Sequence, residues 1–89
     1  MNSTLQIQES FIKRLMIYLE EFEKCGINED DLDDFVEICR CVNAFIKNIK
    51  FAYIINDIEW ALMNGDDMEN YIKLNGTIQR INEIVKISS

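Results

Sequence analysis

Between Phe11 and Cys25 an apolar side chain returns at every third or fourth position. Ile12, Leu15, Leu19 and Phe22 form the seam, with Phe11, Tyr18 and Cys25 flanking it on the same side. This period predicts a helix over about residues 4–25. Its apolar arc covers about half the circumference, wider than the ~100° stripe needed to meet one neighbour. Ser3 and Gln6 have the spacing of a capping box, Glu9/Lys13 and Glu20/Lys24 are i,i+4 pairs in the favourable order, and Gly26 is the stop.

A second helix begins almost at once. Asn28 suits its cap, and Glu29, Asp30 and Asp31 place carboxylates where the helix dipole favours them. Leu32, Phe35, Cys39, Val42, Ile46 and Ile49 make a seam in steps of three and four; after Lys50 the phase changes. Phe51, Ile55, Ile58 and Leu62 form a new stripe pointing roughly opposite to the first, while Tyr53, Trp60 and Ala61 stay near the old face. Two arrangements satisfy this pattern. The helix breaks near Asn48 and restarts, or it runs unbroken over 29–63 for about 50 Å and is buried on two sides beyond residue 50. The pattern favours the unbroken helix. Its surplus apolar length then needs a second copy of the chain, with Phe51, Ile55, Ile58 and Leu62 as the oligomer interface.

Asn64-Gly65 closes that segment, and Asp66 with Glu69 opens a last helix over about 67–86. Tyr71, Leu74, Ile78, Ile81 and Val85 keep helical spacing, Lys73 and Arg80 lie seven apart on the opposite side, and Gly76 admits a close helix crossing. The expected fold is all-α: one domain over 1–89, a small bundle of three helices, or four with the break near Asn48, built around a long amphipathic hairpin. The absence of proline and the scarcity of glycine agree with this.

Size and charge narrow the picture. A chain of 89 residues buries only about 60–65% of its unfolded surface, so its stability depends on an efficient core or on association. Three cysteines, a polar N-terminus and no signal peptide point to a reducing cytoplasm. No apolar run approaches the ~20 residues of a membrane span. A net charge of −7, sixteen acids against nine bases, argues against a general nucleic-acid binder. The charge is uneven, however, and residues 70–89 carry Lys73, Arg80 and Lys86 against Glu83 alone.

The chemistry of catalysis is missing. There is no histidine, which removes the commonest general base and metal ligand. Cys39 and Cys41 point about 200° apart on a helix and cannot share an ion. Read as a calcium loop from Asp30, the acidic run has Leu32 and Phe35 where a ligand and a glycine belong. With no phosphate-cradling glycine loop and no nucleophile–base set, the expectation is a protein that is not an enzyme, with no catalytic, metal or cofactor-binding residues, no cofactor and no small-molecule substrate.

The densest feature is "EEFEKCGINEDDLDDFVEIC", residues 20–39, with nine carboxylates and one lysine. Asp30, Asp33, Asp34 and Glu37 fall off the Leu32/Phe35/Cys39 seam and so face water. They are either a solvated helix start or an acidic partner-binding face that presents carboxylates where a basic protein expects phosphates.

Residues 20–39, with "GINEDDLDD" leading into "FVEIC", resemble the central helical hairpin of one group of phage small terminase subunits, the packaging-initiation proteins of tailed bacteriophages. "MENYIKLNGTIQRINEIVKISS" is similar to the family's following helix, and "FIKRLMIYLEEFEKCG" to the segment before the hairpin. The chain differs from the family in having no proline and no basic N-terminal stretch. The resemblance implies a non-enzymatic homo-oligomer in the cytoplasm of a bacterial host cell. It implies partners in duplex DNA and a large ATPase–nuclease subunit, with Arg14, Lys73, Arg80 and Lys86 as DNA-facing candidates. The alternative is an acidic phage or mobile-element protein that binds and inhibits a host nucleic-acid-binding protein.

Overall fold

A computed structural model describes residues 3–88. Five helices follow one another: α1 (Ser3–Cys25), α2 (Leu32–Ile46), α3 (Ile49–Met63), α4 (Met68–Asn75) and α5 (Thr77–Ser88), with a single 3-10 turn, Glu29–Asp31, ahead of α2. The all-α expectation holds. The helix number does not, because both long helices expected after residue 28 are broken.

The first break corrects the favoured reading of a continuous helix over 29–63. Lys47 adopts the left-handed conformation (φ 51°) and its N–H closes on the Asn43 carbonyl. Asn48 then leaves the helix, and its side chain accepts from the Phe51 N–H at 3.1 Å, capping α3. The Asn43 side chain accepts from the Asn48 N–H at 2.9 Å, so the two-residue turn has its own hydrogen bonds. α3 folds back along α2, and Arg40 pairs with Glu59 across the hairpin.

This reversal changes the role of the phase shift. The stripe expected at a subunit interface is instead the inner face of α3: Phe51, Ile55 and Ile58 are buried within one chain and Leu62 packs partly against the same core. Phe51, Ile55 and Ile58 therefore offer almost no surface to a second copy, which corrects their assignment, whereas half-buried Leu62 keeps part of its side chain exposed. Ile49, placed on the old seam by an unbroken helix, is 68% exposed.

The second break divides the expected helix 67–86. Gly76 is a left-handed C-cap (φ 58°) between α4 and α5, not a site of helix crossing. The kink resets the phase, so Met68 and Ile72 are buried from α4, Ile78, Ile81 and Val85 from α5, and Leu74 is turned out at 77% exposure. Asp67, not Asp66, caps α4, accepting from the Asn70 N–H at 3.3 Å. Glu69 accepts instead from the Ile27 N–H at 3.3 Å, which ties the start of α4 to the α1–α2 turn. The capping box at Ser3 involves a side chain outside the described residues.

The core is continuous. Leu15, Leu19 and Phe22 of α1 pack with Leu32, Phe35, Cys39 and Val42 of α2 and with the inner faces of α3, α4 and α5. Phe22 and Phe35 meet edge to face at 5.1 Å between ring centroids, and Tyr18 approaches Phe35 at 5.9 Å. The molecule measures 43 × 26 × 21 Å.

Candidate functional site

Two charged ends result from this chain path. At one end, the close of α1, the 3-10 turn and the start of α2 bring together the carboxylates of residues 20–37, and Glu69 adds the start of α4 to the same end. Asp30, Asp33, Asp34 and Glu37 are all exposed, so the helical phase read from the sequence places them correctly. They are not equivalent. Asp34 accepts from the Tyr18 hydroxyl at 2.5 Å and lies 3.5 Å from the Arg14 guanidinium. Among the described residues, Asp30, Asp33 and Glu37 make no ion pair. The hydrogen bond to Asp34, followed by burial and the negative charge of Asp34, pushes the Tyr18 phenol up to about 12.

At the other end, α5 passes alongside the α2–α3 turn. Lys47, Lys50 and Arg80 line one open groove of about 750 Å³, with Glu83 as its acid and Ile49 and Ile87 as exposed apolar flanks. Sequence reading found Arg80 and missed both lysines, because thirty residues separate them from it in the chain. Their signal was position: Lys47 lies in the turn that the phase change marks, and Lys50 follows it in the first turn of α3.

The four DNA-facing candidates do not share one face. Arg14 is engaged with Asp34 on the α1–α2 side. Lys73, on α4, borders a smaller cavity with Phe22, Gly26 and Glu69 near the acidic end. Arg80 sits in the basic groove, and Lys86 is exposed in the last turn of the same helix. The Gly76 kink separates Lys73 from Arg80, which one uninterrupted helix would have aligned.

Among the described residues no group of three or more His, Cys, Asp or Glu side chains is placed to hold a metal ion, and no helix is long and apolar enough to cross a membrane. Burial pushes the Cys39 thiol well above its ordinary range, leaving a side chain that packs and does not react. Cys25 is exposed and Cys41 half-buried.

No protein-family model, curated protein or solved structure matches the chain. The arrangement therefore speaks through its chemistry: an end of carboxylates, an opposite groove of cations, and between them an apolar outer surface on α3.

Proposed function

We propose that this chain is a non-enzymatic binding protein whose acidic end engages a basic surface on a nucleic-acid-binding partner. The carrying observation is the contrast among its carboxylates. Asp34 is held by Arg14 and Tyr18, whereas Asp30, Asp33 and Glu37 stand exposed and, among the described residues, make no ion pair. Exposed like charges at close quarters repel one another and cost stability, and a basic partner relieves that repulsion while gaining steered association. The rigid helix start fixes their spacing, so they present a patterned surface where a flexible acidic tail would not.

Affinity capture from a bacterial lysate tests this, with the natural chain set beside a variant carrying Asp30→Asn, Asp33→Asn, Asp34→Asn and Glu37→Gln. A basic nucleic-acid-binding protein retained by the first, released by salt and absent from the second is the expected result. Identical retention by both overturns the reading.

The basic groove supports a second reading, the phage-type DNA-packaging subunit that hands viral DNA to a large ATPase–nuclease. Lys47, Lys50 and Arg80 line it together and, among the described residues, form no ion pair. Each phosphate that such a groove neutralises releases about 0.9 counterion, so duplex affinity should fall steeply with salt. Lys47→Glu with Arg80→Glu abolishes that binding on this reading; no duplex binding by the natural chain at low salt removes it.

A further inference from the structure

The outer surface of α3 does not suit a helix that ends its contacts at water. Of its fifteen residues only Lys50, Asn56, Asp57 and Glu59 are strongly polar. The inner face is consumed by the core, yet Ile49, Tyr53, Trp60 and Met63 are 68%, 63%, 58% and 78% exposed. With exposed Asn56 they recur in steps of four, three, four and three, and so lie within about 80° of arc on the side away from the core. Scattered exposed apolar residues need no explanation, but a continuous stripe containing two aromatic side chains marks an interaction surface.

We propose that this stripe pairs, antiparallel and about a two-fold axis, with the same stripe of a second copy of the chain. Two observations select that occupant. The stripe reads nearly alike in both directions about Asn56: reversed, Ile49 falls opposite Met63 of the second copy and Tyr53 opposite its Trp60. Asn56 then meets its own symmetry mate. An amide carries both donor and acceptor, so two of them across the axis satisfy each other and fix the register.

Charge gives the second observation. Lys47 and Lys50 stand at the N-terminal end of α3, which has no acid in its first turn, while Glu59, Asp66 and Asp67 lie towards and beyond its C-terminal end. This order runs against the helix's own dipole, which favours anions at the start and cations at the close. Antiparallel pairing reverses the mismatch, because each lysine end meets the acidic end and the carbonyl terminus of the other α3.

Shape is consistent with the pairing. A standard interface takes about 800 Å² from each partner, more than one helical stripe supplies. Beside the stripe a groove of about 500 Å³ runs between α2 and α3, with the small side chains of Ala44 and Ala52 in its wall next to Tyr53. In the register above, Trp60 of the second copy arrives beside Ala52. The two-fold contact uses each stripe once and closes at two copies, whereas a ring needs two different surfaces. What the acidic end binds does not enter this inference.

Light scattering behind a sizing column tests it on the full chain, whose single-copy mass is 10.5 kDa. The expected mass is twice that, and Trp60→Glu raises the dissociation constant ~30-fold or more, with helical circular dichroism unchanged. Charge exchange supplies a test that does not touch the apolar stripe. A Lys47→Glu/Lys50→Glu chain and an Asp66→Lys/Asp67→Lys chain each associate poorly alone and form the mixed dimer together. A single-copy mass up to millimolar concentration, an assembly larger than two, a dimer indifferent to Trp60→Glu, or no mixed dimer overturns the proposal.

Discussion

The Tyr18 hydroxyl donates to the Asp34 carboxylate across 2.5 Å, linking the middle of α1 to the start of α2 beside the Phe22–Phe35 contact. The bond needs the phenol protonated, which is why its ionisation moves up to about 12 from 10.0. A folded-state value above the unfolded one contributes stability that is fully present below about pH 10 and is lost as pH rises towards 12. Near-ultraviolet phenolate titration should show a tyrosine step near about 12, beside the raised step that burial gives Tyr71, and only the former should vanish in Tyr18→Phe. At neutral pH that variant loses about 1 kcal/mol, reduced from the value for a buried charged bond by the solvent around Asp34.

The α2–α3 reversal depends on two adjacent residues with opposite contributions. Asn48→Ala removes the cap on the Phe51 N–H and should cost about 1 kcal/mol in urea denaturation. Lys47→Gly relieves a left-handed backbone that a side chain disfavours and should gain about 1 kcal/mol. Lys47→Val should destabilise, since a β-branched residue tolerates that conformation least.

Core and surface leucine-class positions should separate sharply. Phe35 is fully buried between Tyr18 and Phe22, and Phe35→Ala should cost about 3–5 kcal/mol. That is a large part of the stability of a domain this small, so the chain should be substantially unfolded at 37 °C by circular dichroism. Leu74→Ala, on the exposed side of α4, should change stability by no more than about 0.5 kcal/mol. A continuous helix through Gly76 would have made both substitutions costly.

Thiol labelling reads the same packing without mutation. Cys25 should react fastest, Cys41 more slowly, and Cys39 only at the rate of global unfolding. Fast labelling of Cys39 in native buffer would mean that α2 does not pack as described.

Several elements were legible in the pattern because they rest on local rules. The Leu15/Leu19/Phe22 seam, the Gly26 stop, the Asn28 cap and the outward phase of Asp30, Asp33 and Glu37 all follow from helical period and capping chemistry. The phase change after Lys50 was visible too, but its meaning was not. Two-sided burial of one rod and reversal of a hairpin leave the same trace in sequence, and a lysine is an unusual residue to take the left-handed conformation at a helix end. Gly76 was masked by the unbroken spacing of Tyr71, Leu74, Ile78 and Ile81, which suggested one helix; the competing pair Met68/Ile72 carried the true phase of α4. The basic groove was illegible for another reason. Lys47, Lys50 and Arg80 become neighbours only through tertiary packing, and no local rule reports that.

The direction of α5 has a practical consequence. Its first turn lies near Phe22 and Gly26, and its last reaches Lys50, so it runs from the acidic end to the basic one. α1, antiparallel to α2 through the Arg14–Asp34 and Tyr18–Asp34 contacts, begins on that same basic side. A purification tag, fluorophore or tether attached beyond α5 therefore crowds the cationic groove and leaves the carboxylate end projecting into solution. Surface-immobilised chain should report faithfully on partners of the acidic end while understating any affinity for phosphate, and comparisons between the two need protein free of attachments.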